Sequence, residues 1–207
     1  MHGLILRTFE MFVRDTHGQA DWERLADNAE LGTTTFEAML HYEPQVFDQL
    51  LSHVPQELGK PPEAFLEDLG LYLVSHPNCE GLRRLLRFGG VDFIDFLHSL
   101  DELPDRTRLA VSDLDLPDLE LREHGPAHFS LRIGEGLPGF GHVLVGLLRA
   151  MADDYGTLAL LDYSDGFQGA ERIEITLVET SFAEGRSFDL AGSEEGGTET
   201  RRQEARA

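Results

Sequence analysis

The sequence has little of what a disulfide-bonded or membrane-spanning protein needs. It contains a single cysteine, Cys79, in 207 residues, so no disulfide can form within the chain. A lone thiol is typical of a reducing compartment, and we therefore expect a cytoplasmic location. No stretch approaches the roughly 20 apolar residues that span a bilayer. The N-terminus also lacks the basic and then apolar pattern of a secretory signal.

Positive charge is equally scarce. Against 38 acidic side chains stand 17 basic ones, and the formal net charge is −21. Such a surface repels phosphate backbones and anionic lipids, so we expect neither nucleic acid nor a membrane among the partners. Solubility explains this acidity, although an acidic face could also steer a basic partner protein.

The composition predicts one folded domain and a tail. Hydrophobic residues make up 41% of the chain, which is enough for a globular core. From Ser181 onward the chain becomes turn-rich and charged, and residues 192–200 read Gly-Ser-Glu-Glu-Gly-Gly-Thr-Glu-Thr. We predict a folded domain over residues 1–180 and a disordered acidic and polar tail over residues 181–207.

Apolar residues recur at helical spacing through the first half of the chain. Ile5, Phe9 and Val13 mark the first of six predicted helices. The fourth opens at Pro61-Pro62, since proline suits the first turn of a helix. The sixth is predicted over residues 91–103, where apolar side chains again follow a helical period.

From Leu116 onward the apolar period falls to two, which predicts strands. A hairpin is expected to turn at residues 124–126, and a long apolar helix follows over residues 140–152. Two more strands are predicted over residues 158–163 and 172–179. The predicted fold class is therefore α+β, with about six N-terminal helices followed by a four-stranded antiparallel sheet into which one helix is inserted.

Several local strings occur in the order found in one known family. Residues 1–5, Met-His-Gly-Leu-Ile, are similar to that family's opening Met-x-Gly-hydrophobic pair. Residues 96–104, Phe-Leu-His-Ser-Leu-Asp-Glu-Leu-Pro, resemble its Phe-Leu-x-x-Leu-Asp-x-Leu-His. Pro117 stands where members carry a proline that packs on a porphyrin, and residues 140–151 resemble the helix that follows the hairpin. Over residues 1–180 the sequence resembles the heme nitric oxide/oxygen-binding (H-NOX) family.

The resemblance implies a sensory domain and not an enzyme. Family members bind a diatomic gas at heme iron and signal to a separate enzyme, often a histidine kinase or a cyclic-di-GMP enzyme. No nucleophile-base arrangement or glycine-rich loop in the sequence indicates catalysis. The pairs Asp153-Asp154 and Asp113/Asp115 are interpreted as surface acids, which are common in so acidic a chain.

Two heme-holding features of the family are absent. The last residue of the string at 96–104 is the proximal iron ligand in the family, a histidine, and here it is Pro104. Proline offers no side-chain donor and disfavours a helix interior, so we expect the sixth helix to be kinked or broken there. The family's Tyr-x-Ser-x-Arg, which holds the heme propionates, is also missing from residues 133–138, where Glu135 would repel a propionate.

Another residue could hold the iron instead. His76, at the end of the fourth predicted helix, is the leading candidate metal ligand, since a neutral imidazole can coordinate iron. The alternative is that His76 only interacts with the last carbonyls of that helix. His98 is expected to face away from the inherited pocket, His142 to be partly exposed, and Cys79 to lack clear thiolate activation.

The residues of the inherited pocket remain mostly apolar. For each of them alone, an ordinary core position is the competing interpretation. If no porphyrin is bound, the space must be filled by another apolar ligand or by repacking, since voids are costly. The resemblance implies the following cofactor-binding residues: Ile5, Phe9, Leu73, His76, Leu97, Pro104, Pro117, Val143 and Leu147.

Two functions follow from these observations. The first is an H-NOX-type sensory or regulatory domain that senses gas or heme with non-standard or lost heme ligation and signals to a partner enzyme. The second is a heme-independent protein-interaction or apolar-ligand-binding module on the same fold. We favour the first hypothesis over the second, because the pocket-lining positions remain apolar.

Overall fold

The computed structural model describes residues 1–165 and 170–186. Within these ranges the chain forms eight α-helices, two short 3-10 helices and four strands. The helices are α1 (Gly3–Thr16), α2 (Gln19–Asn28), α3 (Gln45–Leu58), α4 (Pro62–Ser75), α5 (Glu80–Arg87), α6 (Phe93–His98), α7 (Leu103–Ala110) and α8 (Phe140–Tyr155). The 3-10 helices cover Pro77–Cys79 and Leu100–Glu102. The strands are β1 (Leu119–Gly125), β2 (His128–Ile133), β3 (Leu158–Asp165) and β4 (Glu171–Glu179).

The four strands form one antiparallel sheet in the order β1-β2-β4-β3. Alternate residues of β2 and β4 are buried, as period-two patterning requires, and Phe129 pairs with Ile175 across the two central strands. The α+β fold class is confirmed. The hairpin turn lies at residues 126–127 and not at 124–126, because β1 continues to Gly125 with a register irregularity after Glu123.

The prediction of one continuous helix over residues 91–103 is wrong, because α6, a 3-10 helix and the start of α7 occupy this region. α6 begins after Asp92, whose carboxylate accepts a 2.9 Å hydrogen bond from the Asp95 amide, and it ends at His98. A 3-10 turn follows, and α7 then starts a new helix that the sequence reasoning missed. Pro104 is the second residue of α7, where no backbone N–H is required. The expected break is therefore present, and it occurs just before the proline.

The buried apolar side chains form two clusters. The first, here called the helical core, belongs to α1–α4 and the loop before α3; the second, the sheet core, joins α8 and the sheet to α5–α7. Val143 on α8 packs against both cores. The boundary between the two halves of the domain therefore runs along α8.

α4 and α8 cross at backbone contact through a pair of glycines. A Cβ atom on Gly70 would lie 2.0 Å from the Val143 carbonyl oxygen, and one on Gly146 would lie 1.8 Å from the Glu67 carbonyl oxygen. Only glycine permits such an approach. This glycine crossing holds the helical core against the sheet core.

The described chain continues beyond the predicted domain end. The amides of Phe182 and Ala183 donate to the Gly156 carbonyl, and the Arg186 amide donates to the Asp154 carbonyl at 3.0 Å. The first six residues of the predicted tail thus contact the end of α8, while residues 187–207 lie outside the described ranges. None of the helices in those ranges is long and apolar enough to cross a membrane.

Candidate functional site

Pro104 is buried at the first turn of α7. It follows Leu103, which is also buried, so this position faces the protein interior. The pyrrolidine ring carries no lone pair that could bond a metal. The interior position at which the resemblance places the iron ligand therefore has no donor atom.

The predicted pocket residues on the helical side lie in the helical core. Phe9 is fully buried, with its ring centroid 4.8 Å from that of Phe65 and 6.1 Å from that of Phe47. Ile5 and Leu73 are partly buried against the same cluster. These side chains contact protein, as expected of an ordinary core.

The remaining predicted wall residues lie on the other side of α8 or close to it. Leu97 and Leu147 belong to the sheet core, and Val143 contacts both cores. Pro117 is buried near the loop at Gly136, where a Cβ atom would lie 3.3 Å from its Cγ. The structure thus divides the predicted walls between two cores, and their contact with a ligand stays a prediction.

His76 is the C-terminal cap of α4 and lies near the surface. Its Nδ1 accepts a hydrogen bond of 3.3 Å from the Asn78 amide, and its ring stacks on Tyr72 at 4.6 Å. Asp15 is 3.8 Å from the same nitrogen, and 31% of the side chain is exposed. The imidazole thus caps the start of the 3-10 helix Pro77–Cys79, whereas the interaction expected from the sequence was with the last carbonyls of α4.

Asp15 organises the surroundings of His76. The Tyr72 hydroxyl donates to this carboxylate at 2.6 Å and lowers the pKa of Asp15, and the Asn78 side-chain amide also donates at 2.8 Å. Burial raises the pKa of the nearby Cys79 thiol, which disfavours the thiolate that metal binding requires. The cluster at the end of α4 is thus built from neutral and anionic groups that satisfy one another.

The other two histidines considered have partners away from Pro104. His98 is half exposed, and its Nε2 lies 3.7 Å from the Glu123 carboxylate. His142 packs its ring 4.1 Å from that of Tyr163, and its Nδ1 lies 3.8 Å from a carboxylate oxygen of Glu67. Both imidazoles are thus engaged with acidic or aromatic side chains.

Residues 133–138, where the resemblance places the propionate clamp, contain no arginine or lysine, although Ser130 and Arg132 stand at Ser-x-Arg spacing on β2 just before them. The Gly134 amide donates to the Asp118 carbonyl at 2.8 Å, and Glu135 is exposed. An exposed carboxylate beside a backbone-paired glycine cannot neutralise an anionic ligand group. Because proline has no donor side chain, the residues present do not fit a heme whose iron is bonded by residue 104.

The family model for heme-NO-binding proteins matches residues 2–159. The chain belongs to the H-NOX family. The match begins at the first residues of α1 and extends into β3, so it covers both the helical core and most of the sheet core. The resemblance inferred from local strings is confirmed.

Solved H-NOX structures share the fold of this domain. The unliganded Fe(II) H-NOX protein from K. algicida has a TM-score of 0.76 at 16% identity and covers 89% of this chain and 100% of its own. The Fe(II)NO form of an S. oneidensis H-NOX protein gives 0.68 at 18%, covering 86% and 99%. A T. tengcongensis H-NOX I5F mutant gives 0.71 at 13%, covering 88% and 100%. A search of curated proteins finds no match.

This H-NOX domain also brings together residues that the sequence reasoning did not connect. His2 lies beside His41 and Asp113, so that ligand atoms of all three fall within 4.8 Å of one another. The three residues are far apart in the chain, and no spacing motif links them. From the sequence, Asp113 is predicted only to be one of a pair of surface acids.

The acidic pairs are engaged in structural contacts. Asp154 is buried and accepts a hydrogen bond of 2.8 Å from Arg83, while Asp115 pairs with Arg108 at 2.9 Å. The prediction that Asp154 is a surface acid is wrong, because its side chain is buried and only 1% exposed. Each carboxylate is held by an arginine, which is the arrangement expected of a structural ion pair.

Proposed function

We propose that this H-NOX domain is a regulatory module that works without a bond between its own side chains and a heme iron. It transmits its signal by contact with a partner protein. The buried Pro104 at the first turn of α7 carries this proposal, because the resemblance places the iron ligand at this residue and proline has no donor side chain. The family fold is that of a heme- and gas-sensing domain. In this proposal the chain keeps that fold but responds to a signal other than a ligand bound at heme iron.

The placement of the other candidate donors supports the proposal. His76 caps a helix near the surface, and His98 and His142 lie against carboxylates and aromatic rings. Cys79 has a raised pKa and so prefers the protonated thiol. A porphyrin would also have to enter between side chains such as Phe9, which already contact other aromatic rings.

Heme content tests the proposal directly. The wild-type protein, expressed with a heme precursor, is expected to show a Soret absorbance far below that of one heme per chain. Pro104→His returns an imidazole to the interior slot and is expected to raise the heme content above wild type. Pro104→Ala is the matched control, since it removes the proline without adding a donor, and it is expected to stay at the wild-type level.

The competing function is heme or NO sensing through His76. A wild-type Soret band close to one heme per chain that disappears on His76→Ala would establish that function and contradict our proposal. A strong band that survives His76→Ala would also contradict it and would direct the search to another ligand. We expect His76→Ala to leave the spectrum of the wild-type protein unchanged.

The partner is proposed to be a signalling enzyme with a basic docking face. The formal net charge of −21 would attract such a face, and the attraction would weaken as salt screens it. A histidine kinase or a cyclic-di-GMP enzyme encoded beside this chain is the first candidate to test. We expect the purified pair to associate more tightly at low than at high ionic strength, and binding that is independent of salt would contradict the charge argument.

A further inference from the structure

His2 and His41 are fixed side by side by the backbone. Residues 1–3 pair with residues 40–42 through hydrogen bonds of 2.7 and 2.9 Å, and His2 and His41 form an isolated antiparallel bridge. A Cβ atom on Gly3 would lie only 2.1 Å from the Glu37 carbonyl oxygen and 2.6 Å from that of Leu40. This close contact places the two imidazole rings 5.1 Å apart at an interplanar angle of 76°.

Asp113 completes the group from a different part of the fold. It lies in the turn after α7, and its Oδ1 is 3.3 Å from His2 Nε2. Its second oxygen, Oδ2, is 3.8 Å from His41 Nε2. One ligand atom from each residue therefore lies within 4.8 Å of the others. Among the described residues, His2, His41 and Asp113 are the group in which two imidazoles and a carboxylate lie close enough to bind one ion.

The buried member of the group has a polar atom that is only partly satisfied. The His2 side chain is only 3% exposed, and its Nε2 faces Asp113 Oδ1 at 3.3 Å without the alignment of a hydrogen bond. A buried nitrogen with a poorly aligned partner keeps bonding capacity that a metal ion can use. His41 and Asp113 are 58% and 44% exposed, which leaves an open side through which an ion could enter.

We propose that His2, His41 and Asp113 form a binding site for a divalent transition-metal ion, with zinc as the ion that suits this ligand set best. Imidazole nitrogen and carboxylate oxygen are common zinc ligands, at about 2.0–2.2 Å from the metal. Tetrahedral ligands at that distance are roughly 3.4 Å apart, close to the 3.3 Å between His2 Nε2 and Asp113 Oδ1. The exposed His41 side chain has only to move slightly towards His2. The proposal does not rest on the proposed function.

Three protein ligands leave a fourth position for water. The site joins the start of α1 and the loop before α3 to the turn that follows α7. A bound ion would therefore link the helical half of the domain to the segment that begins at Pro104. We infer a clamp between these parts, since each ligand comes from a different segment.

Zinc binding must displace one proton within His2. Nδ1 of His2 now accepts a hydrogen bond of 3.1 Å from the Leu4 amide and caps α1. The neutral ring consequently carries its proton on Nε2, the atom that would bind the ion. On binding, Nε2 gives its proton to solvent and Nδ1 takes one up, so no net proton is released by this ring. The Leu4 amide then loses its acceptor.

The binding experiment uses the full chain with a native N-terminus and no histidine tag. Isothermal titration with Zn²⁺ is expected to show one site per chain, and Co²⁺ is expected to give the visible absorption of a four-coordinate site. Asp113→Asn and His41→Ala are expected to weaken binding at least about 10-fold, since even loss of a second-shell partner typically costs that much. Both residues are exposed enough for the variants to fold.

Two further variants separate the site from its surroundings. His2→Asn removes the buried ligand but keeps a good helix cap, because asparagine accepts hydrogen bonds at that position. It is expected to weaken Zn²⁺ binding as much as the other two ligand changes do. His98→Ala is the matched control, since His98 also lies 3.7 Å from an acidic side chain, Glu123, but has no second imidazole beside it. Its affinity is expected to equal that of the wild type.

The Leu4 amide provides a second readout, which does not depend on affinity. We expect its proton resonance to move upfield when Zn²⁺ is added, because its hydrogen bond to His2 is lost. Binding without any change at Leu4 would assign the ion to the two exposed residues and overturn the three-residue site. No Zn²⁺ binding by the wild type, or equal binding by wild type and Asp113→Asn, would overturn the proposal as well. In that case His2 and Asp113 form an ion pair only.

Discussion

The helical core and the sheet core of this domain are built from different side chains. The helical core depends on aromatic rings, whereas aliphatic side chains from α8, from α5–α7 and from alternating strand positions make up most of the sheet core. The aromatic residues of the helical core pack mostly tilted or edge-on, an arrangement that fills the irregular gaps between crossing helices. They are Phe9, Phe12, Trp22, Phe36, Phe47, Phe65 and Tyr72.

The two cores are joined where helix backbones touch. Gly70 on α4 and Gly146 on α8 lie at this contact. Val143 lies at the same crossing and packs on both sides. The cores are thus distinct in packing but share α4 and α8, and we expect the domain to unfold in one transition.

The largest expected effect comes from emptying the helical core. Phe9→Ala should lower the free energy of unfolding by about 4 kcal/mol, since the fully buried ring contacts other aromatic rings that cannot collapse into its place. Urea unfolding followed by tryptophan fluorescence and by circular dichroism measures this. Phe88→Ala, at a side chain that is 75% exposed, is the control and should change stability by under about 0.5 kcal/mol.

The same experiment tests whether the two cores unfold together. If the helical core alone unfolded in Phe9→Ala, the two probes would report separate midpoints, and the cores would be independent units. A loss of well under about 2 kcal/mol would show instead that Phe9 borders a space into which its neighbours can move.

A smaller effect is expected at the joint. Gly146→Ala should lower the free energy of unfolding by about 3 kcal/mol, because the added methyl group would meet the Glu67 backbone and force α4 and α8 apart. Thermal unfolding of the two proteins measures the loss. Gly81→Ala is the matched control in α5, where a Cβ atom meets nothing within 4 Å and alanine should be neutral or slightly stabilising. Equal stability of Gly146→Ala and wild type would show that the helices are not in backbone contact.

The smallest expected effect is pH-dependent and confined to the helical half. The Tyr72 hydrogen bond holds the pKa of Asp15 below its ordinary range, so this carboxylate stabilises the fold above about pH 4 and loses that contribution as the pH falls further. We expect Asp15→Asn to cost about 1 to 2 kcal/mol near pH 6. The cost should shrink near pH 3, as measured by urea unfolding at both values. A difference that does not change with pH would contradict this assignment.

Much of the fold could be predicted from local patterns. The helical period around Ile5 and Phe9 and the alternation around Phe129 each predicted an element that the structure contains. α7 was missed because few of its side chains are buried, and Leu109, for example, is 89% exposed. The hairpin turn was misplaced because the irregular pairing near Glu123 depends on the partner strand.

The candidate site was less predictable. The lack of a metal-binding side chain at Pro104 is a property of one residue and can be read directly from the sequence. Where His76 and His98 point depends on contacts with residues distant in the chain, such as Asp15 and Glu123. The approach of His2 to Asp113 depends on how the turn after α7 packs against the start of α1, which no local pattern encodes.

The sequence alone indicated the family, most of the helices and strands in their order, and the lack of a donor side chain at Pro104, because periodicity and side-chain chemistry are local properties. Tertiary structure alone decided that α4 and α8 meet through Gly70 and Gly146. It also decided that the pocket residues divide between two cores and that His2 has a buried nitrogen beside a carboxylate. These features arise from close packing between segments far apart in the chain, where shape and distance, and not residue type, determine the contacts.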